Sequence, residues 1–234
     1  MSDIAQRLQR VRERIQAAER RWERPAGSVQ LLAVSKTRPA DDIRAALAVG
    51  QKRFGESYLQ EALDKIEALR GEPVEWHFIG RVQSNKTRAI AGNFHWVHSI
   101  DKLKQARRLS RQRPGGMPPL NICLQVKLDA EETKGGFEPD QVAAAVAEIG
   151  TLPGLRLRGL MTLPAPADDL ESQRRPFRRL RRLLESLNAD GAGLDTLSMG
   201  MSGDLEAAIA EGATMVRIGT AIFGPRNRPP AGQG

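Results

Sequence analysis

A lysine stands directly after an apolar segment near the start of the chain. The segment VQLLAVS covers residues 29–35 and predicts a buried strand, which Lys36 follows at once. A lysine held partly out of water at a strand end loses some of its preference for the charged form, so its amine can attack a carbonyl carbon. A lone lysine beyond a strand is more often a solvated surface group, so Lys36 needs support from other residues.

Two glycine-containing loops near the other end of the chain supply that support. One reads SMGMS and the other RIGT, and each ends a predicted strand. Their hydroxyls and unhindered backbone N–H groups suit a phosphate, which also binds well at a helix N-terminus such as the one predicted near residue 203. Each loop alone fits an ordinary turn, but together they predict a phosphate site. The candidate residues are Ser198, Gly200, Ser202, Gly219 and Thr220.

A lysine nucleophile and a phosphate site together describe a carbonyl compound that carries a phosphate. Pyridoxal 5′-phosphate (PLP) fits this description, and so does the sugar-phosphate substrate of an aldolase that uses no cofactor. Arg217, two residues before Gly219, could reach the ring of PLP. A cation that faces the pyridine nitrogen would disfavour its protonation and weaken the ring as an electron sink.

The elements that must position these residues alternate along the whole chain. Strands are predicted over 29–35, 52–54, 75–80, 95–99, 120–126, 155–161, 194–199 and 214–219. Helices are predicted over 3–23 and near 40–49, 57–69, 84–91, 101–112, 139–150, 169–188 and 203–211, with start signals at Asp41, Ser84, Asp101 and Pro139–Asp140. Such alternation implies a parallel sheet with its chemistry at the carboxyl ends of the strands.

Eight strands with a leading helix predict an α/β fold, a single (β/α)8 TIM barrel with an additional N-terminal helix. The barrel is expected to span residues 1–226 and to be followed by a disordered tail, 227–234. An open doubly wound sheet is the alternative. A G-x-G-x-x-G turn after the first strand would favour it, but that turn reads SKTRPA.

Composition and charge restrict the function classes. The 234 residues are 40% hydrophobic and carry a net charge of +8, with no apolar run of about 18 residues and no signal-peptide core at the N-terminus, so we expect a cytoplasmic protein. The arginine-rich stretch 174–187 has apolar residues at helical spacing, which indicates a solvated helix face. Binding to nucleic acid or to an anionic membrane therefore ranks last.

Histidine and cysteine give no sign of a metal site. His77, His95 and His98 lie in or beside strands with aromatic neighbours, and no acidic or cysteine ligand shares their spacing. We interpret the three histidines as structural. The single cysteine, Cys123, lies in an apolar run and is expected to be a small core residue.

Seven blocks in order along the chain resemble the YggS/PROSC family of PLP-binding proteins, from about residue 4 to residue 226. The blocks are LLAVSKTRP, FGESYLQEALDK, WHFIGRVQSNKTR, HSIDKLKQARRLS, LRGLMTLP, LSMGMSGDLEAAI and VRIGTAIFG. The resemblance implies a fold like the N-terminal barrel of alanine racemase and PLP held as a Schiff base on Lys36. It implies that Arg217 faces the pyridine nitrogen and that Ser202, Gly219 and Thr220 hold the phosphate. Further contacts to the cofactor are expected from Ser57, Asn85, Ser198, Met199 and Gly200.

The sequence departs from the family pattern at a few positions. Ser57 replaces an asparagine expected near the cofactor, Arg81 and Val82 replace a proline and a leucine, and Lys127 replaces an asparagine at a strand end that we expect to face the site. The residues around Lys134 and Gly135 keep the K-x-G turn of the family. These changes bear on contacts to the ring and its 3-hydroxyl more than on PLP binding itself.

Three functions are compatible with these residues to different degrees. The resemblance implies intracellular PLP homeostasis without catalytic turnover, with PLP-dependent apo-enzymes as candidate partners, and we expect a monomer. A PLP-dependent racemase would need a second acid/base group, and the resemblance to alanine racemase implies that a tyrosine supplies it. The only tyrosine is Tyr58, which opens a predicted helix, and the sequence ends about fifteen residues after the last predicted strand. We therefore expect a two-base racemase to be poorly supplied here. A Schiff-base aldolase would need an acid beside Lys36, and none is obvious from the sequence.

Overall fold

The computed structural model describes residues 3–128 and 135–225. Its strands are β1 (Gln30–Val34), β2 (Arg53–Glu56), β3 (Glu75–Phe78), β4 (Trp96–Ile100), β5 (Leu120–Gln125), β6 (Leu155–Met161), β7 (Thr196–Ser198) and β8 (Met215–Ile218). Its helices are α1 (Asp3–Arg21), α2 (Ala40–Leu47), α3 (Leu59–Ala68), α4 (Thr87–Asn93), α5 (Leu103–Gln112), α6 (Val142–Gly150), α7 (Leu170–Ala189), α8 (Leu205–Ala210) and α9 (Thr220–Phe223).

The eight strands close into a barrel in sequence order. All neighbouring strands are parallel, and β1 closes the barrel against β8 with Leu32 opposite Arg217 and Ala33 opposite Ile218. The predicted (β/α)8 barrel is therefore confirmed, and the open doubly wound sheet is wrong.

Helix α1 fills the gap that the short last helix leaves on the outside of the barrel. It buries Leu8, Val11 and Ile15, which recur at helical spacing, and it packs against α8, α9 and α2. A four-residue α9 buries little by itself, so the N-terminal helix supplies the missing cover for β8 and β1.

Side chains that alternate along the strands build two separate cores. Trp76 and Phe78 of β3 point outward and pack against the aromatic rings of Phe54 and Phe94 under the helices. The barrel interior is different, because it holds a small cluster of Trp96, Cys123 and Met161 together with several polar side chains. This interior is where the sequence pattern places its buried polar residues.

Several predicted helix boundaries differ from the structure. Helix α4 begins at Thr87 rather than Ser84, because residues 84–86 form a turn in which the Thr87 hydroxyl donates to the Ser84 carbonyl. Helix α5 begins at Leu103 rather than Asp101, whose Oδ1 accepts instead from the Gln105 amide. Helix α9 was not predicted.

Two regions named by the sequence lie outside the described residues, namely the tail 227–234 and the turn at Lys134. Across residues 3–128 and 135–225, no helix has both the length and the apolar composition that a membrane crossing requires.

Candidate functional site

Lys36 lies at the carboxyl end of β1, half-buried, between two residues that are held in place. The buried Ser35 hydroxyl donates to Glu56 Oε1 at 2.6 Å, and the Thr37 N–H donates to Glu61 Oε1 at 2.6 Å. Thr37 has a φ of 64°, in the left-handed region that a β-branched residue seldom adopts. The backbone on both sides of Lys36 is therefore fixed by carboxylates from β2 and α3.

A buried ion pair between Lys65 and Glu56 stabilises this backbone arrangement. Lys65 Nζ lies 2.8 Å from Glu56 Oε1 and 2.8 Å from the Ser35 carbonyl, and it also contacts Glu61. Burial raises the pKa of Glu56, and the charge and hydrogen bond of Lys65 oppose that rise. The sequence interpretation that no acid is obvious beside Lys36 missed Glu56, which ends β2 and reaches the residue before the lysine.

Arg217 lies on β8 at the same end of the barrel and is only 4% exposed. Its Nη1 donates to Ser198 Oγ at 2.8 Å, and its Nη2 donates to the Thr162 carbonyl at 2.9 Å. Burial lowers the pKa of the guanidinium to about 10. Within the described residues, no carboxylate lies within ion-pair distance of Arg217. A guanidinium has five N–H donors, so several remain available for an acceptor that enters the site.

The candidate phosphate residues Gly219 and Thr220 follow β8, which pairs with the strand that Lys36 follows. The Cα of Gly219 packs against Val34, since a Cβ there would come within 3.1 Å of the Val34 carbonyl oxygen. Gly219 caps α9, and Thr220 opens that helix with an exposed side chain. The N–H groups of the first helical turn lie at this position, where an anion is favoured.

The SMGMS loop is tied to the same corner. Gly200 has a φ of 96°, and a Cβ there would lie 2.6 Å from the Ala208 Cβ, so only glycine fits. Its carbonyl accepts from the Arg217 N–H at 2.9 Å, and Met199 is buried next to it. Ser202 is half-buried, and its carbonyl accepts from Arg14 Nη2. Lys36, Arg217 and these two loops therefore share one end of the barrel.

Ser57 and Asn85, which are expected from the sequence to contact the cofactor, lie in environments that differ from each other. Ser57 follows β2, half-buried, and its backbone packs against Gly80 so closely that no side chain fits at residue 80. Asn85 is exposed in the turn before α4, where it lines a polar cavity of about 450 Å³ with Arg81 and Lys104. The contacts of the described residues do not join Asn85 to Lys36 or Arg217.

Lys127, which is expected from the sequence to face the site, lies just after β5 and makes an ion pair there. Its Nζ lies 3.6 Å from the Glu138 carboxylate, and 21% of its side chain is exposed. This ion pair gives Lys127 a partner of its own after β5.

The histidines in the barrel interior were interpreted as structural, and the structure adds a connection that the sequence did not reveal. His77 and His98 are fully buried, hydrogen-bonded to each other, and His98 reaches Ser198. Within the part of the chain that the structure describes, no group of three or more potential metal ligands is present.

Comparison with known proteins identifies the family. Residues 6–227 match the family model described as alanine racemase, N-terminal domain. A Pseudomonas aeruginosa protein named pyridoxal phosphate homeostasis protein is 56% identical over 227 residues, which covers 97% of each chain. A protein of the same name from Escherichia coli is 50% identical over 233 residues, covering 97% of this chain and 98% of its own. The chain belongs to the pyridoxal phosphate homeostasis protein family.

Solved structures agree with this assignment. The homeostasis-family barrel superposes on PipY from Synechococcus elongatus, whose structure was solved with PLP bound, with a TM-score of 0.83 and 37% identity over 94% of this chain and all of PipY. An alanine racemase from Clostridium difficile gives a TM-score of 0.73 at 13% identity, covering 93% of this chain and 57% of the racemase, which shows a shared fold. The Pseudomonas aeruginosa and Escherichia coli relatives both carry the name of a homeostasis protein rather than of an enzyme.

Proposed function

We propose that this protein binds PLP as a Schiff base on Lys36 and acts in PLP homeostasis inside the cell. The observation that carries the proposal is Arg217, a 4% exposed guanidinium with no carboxylate within ion-pair distance among the described residues. A buried cation is costly unless it meets an electron-rich partner. The unprotonated pyridine nitrogen of PLP is such a partner, and the relatives' names and PLP-bound PipY support the same ligand.

The donor set of the site fits the other two ends of PLP. When bound, PLP supplies an aldehyde that condenses with a primary amine and releases water, and Lys36 is an amine at the right corner of the barrel. Ser202, Gly219 and Thr220 offer hydroxyl and N–H donors to the phosphate at the same end of the barrel. The glycines at 200 and 219 keep that corner open where a Cβ would contact its neighbours.

The residues around the site favour holding over turnover. Glu56, Glu61 and Lys65 fix the backbone that presents Lys36. Arg217 cannot accept a proton and stays charged, so it keeps the pyridine nitrogen unprotonated and the ring a weak electron sink.

We further infer that the protein has no racemase turnover, although its fold is that of the alanine racemase N-terminal domain. Racemisation needs a second positioned acid/base group, which contributes about 10²–10⁴ in rate. Tyr58, the one tyrosine of the chain, lies at the barrel rim with 53% of its surface exposed. A chiral assay with common L-amino acids at saturating PLP tests this, and turnover on the order of 1 per second that Lys36→Ala abolishes would contradict it.

The partner of the loaded protein is the finer part of the proposal. PLP-dependent apo-enzymes are the recipients we propose, with the protein cytoplasmic and monomeric. Mixing the PLP-loaded protein with an apo-enzyme should restore activity, and light scattering should give the mass of one chain, 25.7 kDa.

A visible absorbance spectrum tests PLP binding directly. The purified protein with added PLP should show the imine band after free PLP is removed. Lys36→Ala should abolish the band, whereas Lys127→Ala, which removes the lysine paired with Glu138, should retain it. A band that Lys36→Ala leaves unchanged would overturn the proposal.

A further inference from the structure

A continuous chain of hydrogen bonds runs through the barrel interior from one mouth to the other. Glu75 Oε1 lies 2.8 Å from His77 Nε2, His77 Nδ1 lies 2.9 Å from His98 Nε2, and His98 Nδ1 lies 2.7 Å from Ser198 Oγ. Ser198 Oγ accepts from Arg217 Nη1 at 2.8 Å. Both imidazoles and Ser198 are 0% exposed, so water does not compete for these bonds.

The chemistry of its two ends fixes the direction of every hydrogen in this chain. The Glu75 carboxylate only accepts, so His77 carries its proton on Nε2. Burial lowers the pKa values of both His77 and His98, so each ring is neutral and has a single N–H. His77 Nδ1 then accepts from His98 Nε2–H, and His98 Nδ1 accepts from the Ser198 hydroxyl. Ser198 Oγ is left as an acceptor for Arg217, which only donates.

The consequence is a one-way series of dipoles that ends on a carboxylate. Each donor points from Arg217 toward Glu75, so the bonds polarise one another in the same sense. The carboxylate whose charge acts on the guanidinium is Asp204, which lies beyond ion-pair distance, so the donors of Arg217 that Ser198 and Thr162 do not use stay available to face a ligand. Glu75 itself is 37% exposed at the amino-terminal mouth, where it lies 3.3 Å from Arg53 Nε and lines a cavity of about 400 Å³.

We propose that Glu75, His77 and His98 are positioning residues of the cofactor site, which hold the Arg217 guanidinium, through Ser198, against the pyridine nitrogen of bound PLP. This inference rests on the proposed function. None of the three reaches the carboxyl end of the barrel itself, and each acts through the next. Trp96 stacks on His77 with an interplanar angle of 8° and fixes the plane of that ring.

The hydrogen assignment is tested without PLP. Long-range ¹H–¹⁵N spectra of the histidine rings in the PLP-free protein should show His77 and His98 both neutral with the proton on Nε2. A proton on Nδ1 of either ring, or a doubly protonated ring, would break the one-way series and overturn the inference whether or not PLP binds.

The positioning role is tested with three variants and PLP labelled with ¹⁵N at its ring nitrogen. His98→Leu interrupts the chain, and His98→Gln keeps one acceptor and one donor for Ser198 and His77. Met161→Leu replaces a buried residue of the barrel interior that takes no part in the hydrogen-bonded series by one of similar volume. His98→Leu should weaken PLP retention by about 3- to 10-fold, the loss of one ordinary hydrogen bond, and shift the ring-nitrogen resonance toward the protonated form. His98→Gln should return both values most of the way to those of the parent.

The outcomes separate this inference from the proposed function. A parent-like ring-nitrogen resonance in His98→Leu, or an equal shift in Met161→Leu, would overturn the positioning role while PLP binding stands. Failure of the parent protein to bind PLP would overturn both. If His98→Leu does not fold, Glu75→Gln keeps an acceptor for His77 and removes the charge. It should shift the resonance in the same direction by a smaller amount, and an unshifted resonance would then refute the role.

Discussion

Removing the ammonium of Lys65, which donates to the carbonyl of the residue before Lys36, is the most informative single change outside the site itself. Lys65→Met keeps a long side chain but leaves Glu56, which is 0% exposed, with the Ser35 hydroxyl as the one hydrogen-bond donor to Oε1 among the described residues. Glu56 Oε2 already has no hydrogen-bond partner among the described residues. Breaking a buried pair by removing one member costs about 3–5 kcal/mol, because the other charge stays buried. We expect Lys65→Met to lose about that much unfolding free energy at neutral pH.

The pH dependence of this loss has a definite sign. Burial raises the pKa of Glu56, and the contributions of Lys65 lower it, so the variant should raise it further. A carboxyl group with a raised folded-state pKa binds its proton more tightly in the folded protein than in the unfolded chain. Its stability contribution is therefore fully present below the ordinary glutamate pKa and is lost as pH rises through the folded value. The deficit of Lys65→Met should be smallest in acid and largest at neutral pH.

Urea unfolding of the parent and variants at acid and neutral pH measures this effect. Adding Glu56→Leu to Lys65→Met removes the uncompensated charge and should recover most of the lost stability. Lys104→Met, at an exposed position, is the matched control and should change little. A deficit in Lys65→Met that is the same at both pH values, or that Glu56→Leu does not reduce, would refute the reasoning.

Three further predictions follow from particular contacts. Ser202→Ala should weaken PLP binding by roughly 1.5–3 kcal/mol in equilibrium dialysis. Pyridoxal, which lacks the phosphate, should bind far more weakly than PLP, and equal affinities for pyridoxal and PLP would exclude the phosphate site. Burial raises the pKa of the Cys123 thiol to about 12, so iodoacetamide should leave this thiol unmodified in the folded protein and alkylate it in urea. Rapid alkylation without urea would contradict the burial of Cys123. Gly80→Ala should lower the free energy of unfolding in urea by about 1–3 kcal/mol, because its methyl group would overlap the Ser57 carbonyl. Gly92→Ala, where a methyl group has room, is the control, and equal stabilities for the two variants would show that the loop adapts.

The strands and the closure of the barrel were predictable because short apolar runs alternate with amphipathic stretches along the whole chain. The strand β6 has the predicted bounds, and the other strands overlap their predictions. Helix starts were less predictable. Ser84 and Asp101 carry side chains that favour helix N-termini, but neither is the N-cap of its helix. The Ser84 carbonyl accepts from the Thr87 hydroxyl, and Asp101 Oδ1 accepts from the Gln105 amide. A four-residue helix such as α9 has no periodicity to detect.

The candidate site was predictable to the extent that it follows strand ends. Lys36, Arg217 and the loops after β7 and β8 could be placed at one end of the barrel from sequence order alone. The contacts that cross the barrel could not, since His98 of β4 meets Ser198 of β7 only because the interior is narrow enough. Alternation along β3, β4 and β7 does place His77, His98 and Ser198 on inward positions. That pattern could have suggested a buried polar network, though not which residues pair.

Borohydride reduction followed by peptide mapping shows which lysine holds PLP. The PLP-loaded protein is reduced, digested and analysed by mass spectrometry. Reduction fixes the covalent bond between the cofactor and the lysine that holds it. We expect a pyridoxyl mass on the peptide containing Lys36, and none in Lys36→Ala. A label found instead on Lys127, on Lys134 or on Lys65 would contradict it.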